Sequence, residues 1–584
     1  MSKTLFLAVG LIGQMLPVGA ALARPGSNSA VQVPSVSETT KPVTFNRDVA
    51  PIVFSQCATC HRPGQAAPFS LLTYEDVRKR SKQIAEVVSK RYMPPWLPEP
   101  GPYEFQGDLS LKPNQIETIR RWVAEGSVEG LSADLPALPK WEPDWMAGKP
   151  DLIVQLPQPY TVPAEGKDIY RNFVFPIPVS GPKFVKGVEF VPGNWKVVHH
   201  AFINIDTTPV SRRLAKGTPP GFDGMELSST AHMPSGQFMG WQPGKLTSFA
   251  PAGLAWVLDK DTDFVLQLHL HPTGKPETVQ PTLGIYFTDQ PPTNSALHLN
   301  LNPLIIDIPA GATNYAIEDS YTLPVEVDLL GIKPHAHYLA KRMEGLATFP
   351  DGTSKPILLI KDWDFNWQAD YQYARPIALP KGTTLKMRFT YDNSAQNPRN
   401  PNQPPKRVKY GLQTTDEMGE LWLQILPRNR ANRDVLGQDF YKHMAQRTMV
   451  YNEHVLKENP NDAVAHTRAG RARMFFGQGR EAYDHYQAAV RADPKYDRAW
   501  YELGYLFVRM NRQAEAQQAF EKVLQLNPDD YEAHGSLAVI YMQKGDLDQA
   551  EARLRTALKI NPSDEIARGY LDQLLKARAA NKPQ

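Results

Sequence analysis

The stretch DFVLQLHLH, Asp263 to His271, alternates apolar and polar residues over its last six positions. Period two marks a half-buried β-strand. Leu266, Leu268 and Leu270 then face a core, while Gln267, His269 and His271 share the opposite face. TLKMRFTY, Thr384 to Tyr391, reads the same way, with Leu385, Met387 and Phe389 set against Lys386, Arg388 and Thr390. Such strands, punctuated by Pro, Gly and Asn, run from Pro150 to Asn429. About 280 residues is long for one sandwich, so two all-β, jelly-roll-like sandwich domains are predicted, 150–302 and 303–429.

The 584-residue chain is therefore multidomain. Residues 43–129 read as all-α: NQIETIRRWVAEG puts Ile116, Ile119, Trp122 and Val123 on one helical face, with Gly126 as the stop. Polar linkers are expected at 24–42, 130–149 and 430–449. Residues 1–23 read as a cleaved export signal: Lys3, an apolar run, then Ala21-Leu22-Ala23 before Arg24. A periplasmic or secreted protein with no membrane span after cleavage is the expectation. With 64 basic and 61 acidic residues, the chain has no electrostatic footprint for nucleic acid. It has two cysteines only, so cores rather than disulfides must hold the domains.

The tail is periodic. Pro460, Pro494, Pro528 and Pro562 recur every 34 residues. The text resembles the tetratricopeptide repeat, with Trp500, Leu503, Gly504, Ala516 and Phe520 at motif positions. An α-solenoid over 450–580 that binds a protein partner is what this resemblance implies.

Both cysteines lie in Cys57-Ala58-Thr59-Cys60-His61. C-x-x-C-H suits covalent haem c, with two thiols for the vinyl groups and the His for the iron. A zinc site would need further ligands, and a thioredoxin-type pair wants a βαβ context. Residues 43–129 resemble cytochrome c domains in which a Met before the last helix is the sixth ligand, which points to Met93 in KRYMPPW.

Histidines cluster in the β-region: His199-His200, His269 with His271, and His335 with His337 in GIKPHAHYLAKRM. Imidazoles suit copper, zinc, iron and nickel. His199 and His200 would point to opposite faces of a regular strand, so joint binding requires a bulge. KVVHHAFINID, FVLQLHLH, KPHAHYLAK and TTDEMGELWLQIL together resemble the copper type II, ascorbate-dependent monooxygenases, the family of the peptidylglycine- and dopamine-hydroxylating enzymes. The resemblance implies two coppers, one on His199, His200 and His269, the other on His335, His337 and Met418, where O₂ would react. Gln267 matches a glutamine of the family motif and is a candidate for electron passage. His232 and His271 receive no role.

The pattern also departs from that family. Its β-domains carry disulfides; these have none. Where peptide-amidating members place Arg, Asn and Tyr around the substrate, this chain has Lys333, Glu420 and Trp422. A carboxylate at 420 repels an anion, and Trp422 leans toward an aromatic or apolar substrate. The expectation is an exported copper monooxygenase that hydroxylates a C–H bond of a small molecule with O₂. Its electrons would come from the fused haem or from a reductant such as ascorbate. The rival is a non-catalytic copper-binding and electron-transfer protein with a repeat scaffold.

Overall fold

Asp263–Leu270 is the middle strand of a five-stranded antiparallel sheet, between Ile169–Pro176 and Val198–Asp206, with Phe222–Asp223 and Gly240–Trp241 at the edges. The computed structural model of the chain describes residues 41–141, 145–217, 220–225, 227–228, 230–234, 236–245, 247–562 and 564–580. The expected signal at 1–23 and the linker up to residue 40 lie outside them. A second sheet, ordered Leu152–Gln155, Thr282–Thr288, Lys183–Val191 and Trp256–Leu258, shares one core with the first. Leu266, Leu268 and Leu270 enter that core with Val185, Leu283 and Ile285, as their alternation requires.

Two further four-stranded sheets enclose a separate core. One is ordered Leu297–Leu301, Gly419–Pro427, Val327–Ala336 and Tyr371–Leu379; the other Tyr315–Thr322, Thr384–Tyr391, Ala340–Thr348 and Ser354–Ile360. Leu385, Met387 and Phe389 are buried there. Leu297–Leu301 pairs with Gly419–Pro427, so this sheet pair starts before the boundary expected at Asn302. The cause is local: Leu299 and Leu301 are themselves buried in the second core.

The helices Ala50–Gln56, Tyr74–Lys79, Ser81–Ser89 and Pro113–Ala124 surround Phe45, Val53, Ile119 and Trp122. Gly126, at φ +97°, follows the last of them. One stretch inside 43–129 leaves this cluster. Pro98 bridges to Ile360 and Phe105 to Tyr373, with Glu99 N–H donating to Leu359 O and Ala374 N–H to Glu104 O. Ser354–Ile360 and Tyr371–Leu379 are two of the four edge strands of the second sheet pair. The strap covers edges that would otherwise expose unpaired backbone groups.

The linker expected at 430–449 is instead part of one helix, Arg430–Glu458. Sequence reading took its polar text for a linker. Its Leu436 is fully buried in the second β-core, Tyr321 Oη donates to Asp439 at 2.7 Å, and Arg447 pairs with Asp319 at 3.0 Å. A chain ending at Asn429 loses Leu436 from that core. Its thermal stability is expected to fall by at least about 2 kcal/mol, the low end for emptying a buried Leu site. A chain ending at Asn459 keeps the helix; equal melting of the two chains would contradict this docking.

Among the described residues seven helices follow, three neighbouring pairs and a last single helix, from Ala463–Phe475 to Glu565–Ala580. Leu503, Ala516 and Phe520 fill their core. A Cβ on Gly504 would stand 3.0 Å from the Phe520 ring, which is why that position takes glycine. Among the described residues, no helix is long and apolar enough to cross a membrane.

Candidate metal centres

The strand Val198–Asp206 carries a bulge between Val198 and His200, where it pairs with Asp263–Leu270. One extra residue on one strand turns its neighbours toward a common side. His199 and His200 thus converge, and His200 stands directly opposite His269. His199 Nδ1 lies 3.1 Å from His200 Nδ1, and His269 Nδ1 lies 3.4 Å from it. One proton can join one such pair; a cation can join all three. The ligand atoms of the three residues lie within 4.8 Å of one another.

Asp168 sets the ring orientation. His269 Nε2–H donates to Asp168 Oδ2 at 3.0 Å, and His271 Nδ1–H donates to Oδ1 at 2.6 Å. With its proton on Nε2, His269 presents a lone pair on Nδ1. Tyr170 stacks on the same ring at 4.4 Å. Burial, reinforced by neighbouring imidazoles, pushes His199 and His269 down to about 4 and His200 well below its usual value. All three are neutral near pH 7, the state that ligates metal. Sequence gave no sign of Asp168, which lies 101 residues from His269. Only the pairing of Ile169–Pro176 beside Asp263–Leu270 brings them together. Asp168→Ala is expected to weaken copper binding at this set by about 10–100-fold. Titration of apo protein against a copper chelator measures it, and unchanged affinity contradicts the role.

His335 and His337 stand at the end of the strand Val327–Ala336, ring centroids 5.4 Å apart. Their protons are also placed, on the other nitrogen. His335 Nδ1–H donates to Gln368 Oε1 at 2.5 Å, and His337 Nδ1–H to Asp416 O at 3.1 Å. Nε2 of each is left as the donor atom. Burial pushes both imidazoles down to about 4. Met418 is held from two sides: Tyr391 Oη donates to its carbonyl at 2.7 Å, and its own N–H donates to Glu417 Oε1 at 2.9 Å. Glu417 also accepts from the N–H groups of His337 and Leu339. Burial raises its carboxyl to about 8 despite these donors. Glu417 therefore ties the histidine strand to the Met418 segment, a role the sequence did not disclose.

The second set and His200 of the first open on one cavity of about 300 Å³. His200 and Gln267 line one wall; His335, His337 and Met418 line the other. Phe365 lies between, 5.7 Å from His199 and 5.8 Å from His337. Gln267 spends its amide N–H groups on Asn172 Oδ1 at 3.0 Å and Met225 O at 2.8 Å. Lys333 Nζ lies over the Phe202 ring at 4.6 Å, and burial lowers its ammonium to about 8. Glu420 is less available than the sequence suggested: it accepts from Asn302 at 2.9 Å and from Trp422 Nε1 at 3.0 Å. Much of the remaining wall is apolar, with Met233, Phe238 and Trp241, while His298, Asn204, Gln242 and Thr414 add polar groups. His232 is exposed, hydrogen-bonds Thr230 O and does not line this cavity. His271 acts on the first set through Asp168.

Cys57 and Cys60 are free thiols where the helix Ala50–Gln56 ends. Burial pushes Cys57 up to about 12 and raises Cys60. His61 Nδ1 lies 3.1 Å from Phe69 O, so as a donor there it leaves Nε2 for an iron. The donor set fits covalent haem. Met93 follows the helix Ser81–Ser89, is half-buried, and lines a cavity of about 550 Å³ with Val88, Leu111, Ile116 and Trp367.

The tetratricopeptide repeat family matches residues 467–516 and 507–574. Comparison with curated proteins gives no match. Among solved structures, "Crystal structure of MamA" is 20% identical, covering 24% of this chain and 83% of that one, with a TM-score of 0.23. "First TPR of Spaghetti (RPAP3) bound to HSP90 peptide SRMEEVD" is 20% identical, covering 20% and 94%, with a TM-score of 0.20. The helical pairs after Pro460 carry tetratricopeptide repeats.

Proposed function

We propose that the chain is an exported copper-dependent monooxygenase that hydroxylates a C–H bond of a small, largely apolar molecule. The carrying observation is a cavity lined by His335, His337 and Met418 on one side and by His200 on the other, with His200 one of three clustered neutral imidazoles. Copper at the softer His335/His337/Met418 set would supply O₂ activation, copper at the His₃ set an electron, and covalent haem on Cys57, Cys60 and His61 single electrons. Overall, C–H, O₂, two electrons and two protons become C–OH and water.

The chain's own residues supply the rest. Asp168, Gln368 and the Asp416 carbonyl hold ring protons away from the ligand atoms. Glu417 holds Met418 against His337. Lys333 offers the one cationic group among the described residues that line the cavity. The repeats would bind a protein partner and take no part in the chemistry. The test is a metabolite screen with copper-loaded protein, reductant and ¹⁸O₂. A product carrying one ¹⁸O atom supports the reading. Copper-loaded protein that oxidises its reductant but labels no product favours the electron-transfer rival.

A further inference from the structure

The two sheet pairs have separate cores. The apolar cluster that bridges them is small, with Leu254, Ala296 and Leu330 at its centre. Packed units of this kind move relative to one another unless something ties them. The cavity lies at their junction: His200, Phe202 and Trp241 come from the first pair, His335, His337 and Met418 from the second. A change in spacing therefore moves one histidine set against the other.

The loop Asp362–Asp370 spans this junction. It joins Ser354–Ile360 to Tyr371–Leu379 and so belongs to the second pair. Trp363 anchors it there: its ring is buried in the second core, and its Nε1–H donates to His337 O at 3.2 Å. Arg399 donates to Trp363 O at 2.6 Å, and Asp364 accepts from Asn366 N–H at 2.9 Å, which braces the turn. Gln368 holds the ring proton of His335. The same loop reaches the first pair at two points. The buried Phe365 ring stacks on His199 at 5.7 Å and meets His337 edge-on at 5.8 Å, so one ring touches a histidine of each set. Asp370 pairs with Lys245 Nζ at 2.5 Å, with side chains 4% and 14% exposed, an ion pair that salt screens little. Lys245 also donates to Gly240 O at 2.6 Å. Gly240–Trp241 is the strand paired with Ala201 and Phe202, directly after His200.

We propose that this loop is a clasp that fixes the separation of the two histidine sets, with Phe365 as the positioning residue whose ring sets it. This rests on the function proposed above. Close-packed rings do not compress, so contact with both imidazoles defines a distance. The Asp370–Lys245 pair holds the loop against the strand beside His200 and keeps the ring in place. Because the cavity takes one wall from each pair, the clasp also fixes the room left for substrate.

The experiment uses the full chain loaded with copper(II), with metal content measured on the same sample. Electron paramagnetic resonance at the copper signal reads the dipolar splitting between the two ions, which varies as the inverse cube of their separation. The parent should show one defined splitting. Phe365→Ala, with two coppers still bound, should show a shifted and broader one, because the gap between His199 and His337 is no longer filled. A residue that only fills a core would lower the melting temperature and leave the splitting unchanged. Phe365→Ala with two coppers and the parental splitting thus overturns the clasp and leaves the proposed function standing, as does a parent whose two coppers show no defined splitting. A parent that binds no copper overturns both. Should Phe365→Ala fail to fold or to hold two coppers, Asp370→Asn removes the charge at the other end of the loop and keeps the ring. A shifted splitting then supports the clasp, and the parental splitting overturns it.

Discussion

Met418→His is expected to keep copper near the parental content while abolishing oxygen-dependent product formation. The segment Asp416–Met418 is fixed by Tyr391 and Glu417 through backbone groups, so replacing the side chain leaves the frame intact. An imidazole in place of the thioether keeps three donors but removes the soft one that favours copper(I). The first set, on different strands and oriented by Asp168, keeps its metal. Metal analysis beside the ¹⁸O assay separates binding from turnover. Parental turnover with His at 418 would remove Met418 from the site.

The double substitution Cys57→Ser and Cys60→Ser is expected to leave no haem that survives denaturation, because neither thioether can form. The surrounding core is built from Phe45, Val53, Ile119 and Trp122 rather than from the thiols, so the helices should persist by circular dichroism. Haem stain retained on a denaturing gel would contradict the attachment. Copper content should be unchanged, since neither histidine set draws a ligand from residues 43–129.

What was legible in the sequence was whatever repeats at short range. The alternation in DFVLQLHLH and TLKMRFTY gave strands and their buried faces, and the 34-residue period gave the repeats. The adjacent pair His199-His200 required a bulge, and the strand has one at that place. Contacts between distant segments were not legible. Asp168, Gln368 and Phe365 each reach a histidine far along the chain, with no spacing rule to reveal them. The helix Arg430–Glu458 was missed although Leu436 and Phe440, four residues apart, both pack against the second β-core, a surface distant in the chain. Leu436, buried against the sandwich, is what holds its N-terminal half in place. The strap Pro98–Phe105 lies in proline-rich text that reads as a loop within one domain but pairs with the edges of another.

The most direct test is copper K-edge X-ray absorption on reduced, copper-loaded full-length protein, with metal content measured on the same sample. The expected result is two coppers per chain, with a sulfur scatterer at one of them that disappears in Met418→His. Protein that binds no copper, or whose copper shows no sulfur neighbour before the substitution, would contradict a paired site built from His199, His200 and His269 as one set and His335, His337 and Met418 as the other.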